Sequence, residues 1–127
     1  MKKIIIGNWK LNLDHLQSIQ LLQKINYSLP KDVEENIEIV LAPSHTSLRS
    51  LQTVIATDNL KMKLSSQDVS MFKEGAYTGE VSSAQLKKLD ISYSIIGHSE
   101  RRTLFNENNE IVNLKLKRLQ EQDITPI

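Results

Sequence analysis

One apolar run is followed at once by four side chains that can do chemistry: in Ser94-Ile95-Ile96-Gly97-His98-Ser99-Glu100-Arg101-Arg102, an imidazole, a carboxylate and two guanidinium groups come directly after Ile95 and Ile96. Enzymes with parallel sheets keep their reactive groups at the carboxyl ends of strands. Gly97 lets the backbone turn there without a Cβ clash, so that His98 can be held over the sheet edge. His98 is thus a candidate proton-transfer or carbonyl-polarising group; the plainer alternative is a histidine that caps the strand end and bonds locally. Ser99-Glu100 reads as a helix entrance, and the positive end of a helix beside the ring favours a neutral imidazole, which can donate to a substrate carbonyl. Glu100 is either a second acid or base or the partner of a lysine, and the ion pair is the better use. Arg101 and Arg102 could grip phosphate, but paired arginines at a helix start more often bind nearby carboxylates, here Glu107 or Glu110.

The first apolar run ends in a similar way, in Gly7-Asn8-Trp9-Lys10. If the strand period of two continues, Asn8 and Lys10 point one way and Trp9 the other. Asn8 and Lys10 could then share a pocket. An ammonium suits a phosphate or a developing oxyanion, and the amide can donate to the same ligand. Lys10 alone would be read as a solvated lysine; the His98 and Glu100 cluster at the same predicted edge gives it weight. His45, after Ala42-Pro43-Ser44, is a weaker candidate on that edge, and His15 reads as an idle surface histidine. No histidines or carboxylates show metal spacing, and neither a Walker loop nor Gly-x-Gly-x-x-Gly is present.

The elements that must position these groups alternate. Short β-branched runs are expected as strands at Lys3 to Ile6, Ile37 to Leu41, Leu60 to Leu64, Ile91 to Ile96 and Ile124 to Ile127. Helical stripes lie between them: Leu16, Ile19, Leu22 and Ile25; Leu48, Leu51 and Ile55; Val112, Leu116 and Leu119. Ser82-Ser83-Ala84-Gln85 offers a capping box before a short helix with Leu86 and Leu89. The alternation predicts an α/β fold of roughly four βα units plus a fifth strand in a parallel sheet, as one domain over residues 1–127. Ser66 to Val81 breaks the rhythm. That stretch has no clear period yet carries Met71, Phe72 and Tyr77, which suits a loop docked against a partner; the alternative is a loop folded over its own domain.

Composition narrows the class. Sixteen basic against fifteen acidic residues give a net charge of +1, without the basic face that nucleic-acid binding requires. The absence of cysteine removes disulfides and thiolate chemistry and suits a reducing, cytoplasmic setting. Met1 to Ile6 imitates the start of a signal peptide, but the apolar run ends at Gly7, and no later stretch approaches the length of a membrane span.

Four segments together resemble the triosephosphate isomerase family in order and spacing: Gly7-Asn8-Trp9-Lys10, Leu41-Ala42-Pro43, Gly75-Ala76-Tyr77-Thr78-Gly79-Glu80-Val81-Ser82, and Ile96-Gly97-His98-Ser99-Glu100-Arg101-Arg102. The resemblance implies the N-terminal half of a (β/α)8 TIM barrel and an aldose-ketose isomerase of glycolysis and gluconeogenesis. It would interconvert dihydroxyacetone phosphate and glyceraldehyde 3-phosphate through an enediolate, with no cofactor and no metal. By it, His98 is the neutral electrophile, Asn8 and Lys10 bind substrate, Lys10 stabilises the developing charge, and Glu100 supports Lys10 and the proton relay. The same histidine is a standard example of tuned protonation. The Ser66 to Val81 stretch would be the homodimer loop, presenting Met71, Phe72, Tyr77 and Thr78 to a second subunit. Two departures stand out: Ser44-His45 follows Ala42-Pro43 where Pro-Phe or a similar pair is usual, and Asp68 stands where the family commonly has Asn. A full barrel takes about 250 residues, so the expectation is a truncated chain, without the base glutamate, the lid and the late phosphate grip, and inactive alone. The alternative is a non-catalytic half-barrel that serves as a small-anion binding or association module.

Overall fold

The computed structural model describes residues 2–127, which divide into two compact units, the first extending to Ser65 and the second running from Ser66 to Ile127. In the first unit, strands β1 (Lys3–Asn8), β2 (Ile37–Ala42) and β3 (Lys63–Ser66, its last residue in the second unit) lie side by side in chain order. All pairings are parallel: β1 meets β2 with Lys3 opposite Ile37 and Asn8 opposite Ala42, and β2 meets β3 with Val40 opposite Lys63. Helices α1 (His15–Ser28), α2 (Val33–Asn36) and α3 (His45–Thr57) connect them.

Burial in this unit follows strand position. The end of β2 is flanked on both edges, and Val40, Leu41 and Ala42 are all buried, as in the centre of a parallel sheet. In β1, by contrast, Ile4, Ile5 and Ile6 are 48%, 55% and 38% exposed, so side chains pointing to both faces of that strand meet solvent. α1 packs on α3 through Leu22, Leu48 and Leu51, and a buried bond from the Ser18 hydroxyl to that of Ser47, 3.0 Å long, satisfies two polar groups at the contact. Leu16, expected on the buried stripe of α1, is instead 60% exposed in the first turn of the helix.

The second unit holds α4 (Ser83–Lys88), β4 (Tyr93–Ser94), α5 (Ser99–Leu104), α6 (Asn109–Gln120) and β5 (Thr125–Pro126). β4 and β5 pair in parallel, Tyr93 opposite Thr125 and Ser94 opposite Pro126, and the main-chain bond from Ile96 to Ile127 extends the contact. Its core gathers Val69, Leu86, Ile91, Ile95, Leu119 and Ile124. The capping box expected at Ser82 is present: Ser82 Oγ accepts the Gln85 N–H and Gln85 Oε1 accepts the Ser82 N–H. Two short helices were not resolved by periodicity, α2 and, beyond its entrance, α5; a single turn leaves no stripe to read.

Three helices stop by the same device. α3, α4 and α6 are followed by Asn59, Asp90 and Asp123 with φ of 51°, 57° and 52°. The apolar residue after each donates its N–H five residues back, Leu60 to Ile55, Ile91 to Leu86 and Ile124 to Leu119. These are Schellman closures with Asn or Asp in the left-handed position usually held by glycine. Each folds an apolar residue inward and starts the approach to the next strand, so helix termination and strand entry are one local event.

No helix among the described residues is long and apolar enough to cross a membrane. The Ser66 to Val81 stretch has no regular structure between the end of β3 and α4. Its base is closed by the Ser70 N–H to the Val81 carbonyl at 2.8 Å, and its tip by a turn from Tyr77 to Glu80 in which Gly79 takes φ 90°, the left-handed third position of a type II turn. Phe72 and Tyr77 stack face to face, centroids 3.7 Å apart, so part of the apolar surface expected to seek a partner is met within the loop itself; Tyr77 remains 42% exposed.

Candidate active site

In the first unit the candidate groups sit where β1 hands over to α1. Asn8 ends β1, and the Trp9 N–H still donates to the Ala42 carbonyl at 3.0 Å, but Lys10 has φ 55°. The strand alternation that would place Asn8 and Lys10 on one side therefore ends before Lys10. An Asx turn takes its place: Asn8 Oδ1 accepts the Lys10 N–H at 3.0 Å. With Oδ1 engaged, the amide Nδ2 is the part of Asn8 that can donate to a ligand. The Ser44 hydroxyl, instead of capping α3, donates to the Lys10 carbonyl at 3.3 Å, so one of the departures from the family pattern helps to hold the turn that carries Lys10. Lys10 itself is exposed. His45 opens α3 and is half-buried, whereas His15 opens α1 and is exposed.

In the second unit His98 is the N-cap of α5, and its Nδ1 accepts the Glu100 main-chain N–H at 3.1 Å. A nitrogen that accepts an N–H carries no proton, so a neutral ring held this way bears its proton on Nε2. The Glu100 carboxylate also comes within 3.7 Å of Nδ1, too long for a hydrogen bond and attractive only if that nitrogen were protonated. The shorter contact decides the tautomer. Local capping and a donor-ready ring are therefore not alternatives: in a neutral ring the cap leaves the proton on Nε2.

Gly97, just before His98, adopts φ 62°, and a Cβ there would lie 2.9 Å from Val112 Cγ2. Glycine is required on both counts. Both polar groups of its main chain are engaged: the N–H donates to Glu107 Oε1 at 3.3 Å and the carbonyl accepts from Arg102 Nε at 3.0 Å. Arg102 also donates to Asn109 Oδ1 at 2.9 Å, not to a carboxylate. Arg101 does take the expected Glu107, Nε to Oε2 at 2.7 Å, and lies over the Phe105 ring at 4.8 Å.

The periodicity reading misses two members of this cluster. Lys115, on the inner face of α6, is 4% exposed and donates to Glu107 Oε2 at 3.0 Å and to Asp68 Oδ1 at 2.7 Å, while Asp68 Oδ2 lies 3.2 Å from Arg101 Nη2. Two cations thus face two carboxylates. Burial alone would raise the Glu107 titration, but the hydrogen bonds and charges of Arg101 and Lys115 outweigh it and hold the carboxyl below its ordinary range. Asp68 uses both of its oxygens on cations here, which an asparagine could not do. Among the described residues no group of three or more His, Asp or Glu is arranged to hold a metal ion.

The sequence model of the triosephosphate isomerase family matches residues 3–127. The chain belongs to the triosephosphate isomerase family. Its fold is accordingly the N-terminal half of a TIM barrel, with strands that pair in parallel and alternate with helices. A triosephosphate isomerase of Corynebacterium glutamicum is 44% identical over 126 residues, which make up 99% of this chain and 49% of that protein. One of Saccharopolyspora erythraea is 47% identical over 124 residues, covering 98% of the chain and 48% of the relative, and one of Rhodococcus jostii is 45% identical over 126 residues. The chain spans about half the length of the curated triosephosphate isomerases it matches.

Proposed function

We propose that this chain carries the electrophilic and substrate-binding part of triose phosphate isomerisation, the interconversion of dihydroxyacetone phosphate and glyceraldehyde 3-phosphate. The observation that carries the reading is the Glu100 N–H bonded to His98 Nδ1 at 3.1 Å. A neutral imidazole held this way has its donor at Nε2, the form that can polarise a carbonyl and then share a proton with the enediolate oxygens. Asn8 and Lys10 bind the substrate, Lys10 supplying positive charge that is most valuable once the oxyanion forms. Glu100 takes part in the proton relay. The family membership and the matching motifs around each of these residues support the assignment.

With Glu100 assigned to the relay, no further carboxylate among these four residues serves as the base that abstracts a proton from carbon. The 127-residue chain by itself therefore binds triose phosphate and turns it over poorly or not at all. The loop from Ser66 to Val81 pairs the chain with a second copy through Met71, Phe72, Tyr77 and Thr78, in a cytoplasmic homodimer. The test adds dihydroxyacetone phosphate to the isotopically labelled chain while a coupled assay follows glyceraldehyde 3-phosphate. Resonance shifts confined to Asn8, Lys10 and the His98 turn are expected, with no appreciable turnover. Absence of shifts at all three, or turnover that survives His98→Asn, would refute the assignment.

The exposed isoleucines of β1 favour a second reading, an association module. It predicts tight self-association that triose phosphate leaves untouched.

A further inference from the structure

We propose that Glu107 and Arg102 are positioning residues that aim the ring of His98 through the main chain of Gly97, and that Asp68 couples this clamp to the base of the 67–81 loop. The catalytic meaning of the clamp rests on the reading of His98 given above; its mechanics do not.

The two peptide groups that flank Gly97 are each held by an ionised side chain: Glu107 Oε1 accepts from the N–H at 3.3 Å, and Arg102 Nε donates to the carbonyl at 3.0 Å. Because Gly97 has no Cβ and sits at φ 62°, its own conformational preferences define this turn weakly, and rotation about it would swing the His98 Cα and the Nδ1 cap. Charged partners at both ends suppress that rotation. Glu107 is itself immobilised, since its other oxygen receives Arg101 at 2.7 Å and Lys115 at 3.0 Å. Asp68 completes the ring by taking both cations, at 2.7 Å from Lys115 and 3.2 Å from Arg101. Asp68 precedes Val69, which is buried, and Ser70, whose N–H closes the loop base. A displacement of that base must therefore move a carboxylate bonded to both cations that hold Glu107. The loop and the His98 turn are joined through a chain of charge-assisted bonds, without touching the ring itself.

A purely fold-stabilising quartet would have the same contacts, so the test reads the turn separately from the fold. In the intact chain, amide hydrogen exchange at Gly97 is compared with exchange at Ile95, whose N–H bonds to the Ser66 carbonyl in the same unit. The His98 ring nitrogens are followed by 15N NMR. Three variants are used: Asp68→Asn; the charge-balanced double change Glu107→Leu with Lys115→Met; and Arg102→Lys at an exposed position, which keeps the question answerable if a buried change prevents folding. The proposal expects exchange at Gly97 to accelerate by about tenfold or more while Ile95 keeps its rate, and the His98 ring resonances to move or broaden. If Gly97 and Ile95 accelerate together, or if the His98 resonances stay in place, the quartet serves only the fold and the proposal is wrong. Turnover plays no part in the readout, so an error in the assigned reaction would leave this result intact.

Discussion

Glu100 donates its main-chain N–H to His98 Nδ1 at 3.1 Å, so the first turn of α5 is capped by a histidine ring, and in a neutral ring held this way the proton lies on the opposite nitrogen. Structural and chemical uses of His98 can be separated by substitution. Asparagine is a good N-cap and alanine a poor one, so His98→Ala should lower stability by about 1 kcal/mol, whereas His98→Asn should stay near the parent. Urea midpoints of the two variants check this. Equal losses in both would show that the cap contributes no measurable stability.

Gly97→Ala should be among the most damaging small changes in the second unit. It places a methyl 2.9 Å from Val112 Cγ2 at a residue with φ 62°, and the backbone and packing penalties together are expected to reach about 2–4 kcal/mol. Thermal melts of Gly97→Ala alone and combined with Val112→Ala resolve the two contributions. Relief of the clash should recover only part of the loss, since the left-handed backbone stays strained.

Acid should loosen the quartet around Glu107. Its carboxyl is held below the ordinary value of 4.5 in the folded state, so the unfolded chain takes up this proton first as pH falls. The contribution is therefore present in full above about pH 4.5 and disappears as pH drops through the folded-state value. Urea unfolding between pH 7 and pH 3 should show stability falling in that acid window. Glu107→Gln should cost about 3–5 kcal/mol near neutrality, because Lys115 and Arg101 are left with Asp68 alone, and its profile should be flatter in acid. A parent and variant with parallel profiles would remove Glu107 from the acid response.

The loop prediction concerns association. Tyr77 is 42% exposed and stacks on Phe72, so Phe72→Ser with Tyr77→Ser removes both an internal ring contact and the proposed contact surface. Sedimentation at micromolar concentration should show the parent as a dimer and the double variant shifted toward monomer, with far-UV circular dichroism unchanged. A parent that sediments as a compact monomer would contradict the pairing.

Most of the fold was legible wherever a local rule applied over several residues. The stripes of α1, α3 and α6 and the Ser82 capping box mark helices that form, and the apolar runs mark strands in the right order. Edges were less legible. The third strand begins at Lys63 and not at Leu60, because Asn59 and Leu60 are spent on closing α3, a motif read only once the left-handed φ is seen. β4 and β5, two residues each, likewise begin after the closures at Asp90 and Asp123, which take up Ile91 and Ile124. Among the candidate residues, His98, Glu100, Asn8 and Lys10 stand out by residue type after apolar runs, but the left-handed backbone of Lys10 does not, since nothing in Trp9-Lys10-Leu11 signals an Asx turn except Asn8 two residues earlier. The quartet was half legible. Arg101 and Glu107 are close in sequence, whereas Asp68 and Lys115 are 47 residues apart and meet only through the tertiary fold. A lysine on the α6 stripe side reads as solvated until a carboxylate is seen beneath it.

The central claim is that His98 presents a neutral ring with its proton on Nε2. A two-bond 1H–15N spectrum of the His98 ring at neutral pH measures this directly. The account predicts Nε2 in the protonated, pyrrole-like range and Nδ1 in the bare, pyridine-like range, with the assignment confirmed by loss of those signals in His98→Asn. A proton found on Nδ1, whether as the other tautomer or as the imidazolium, would contradict it.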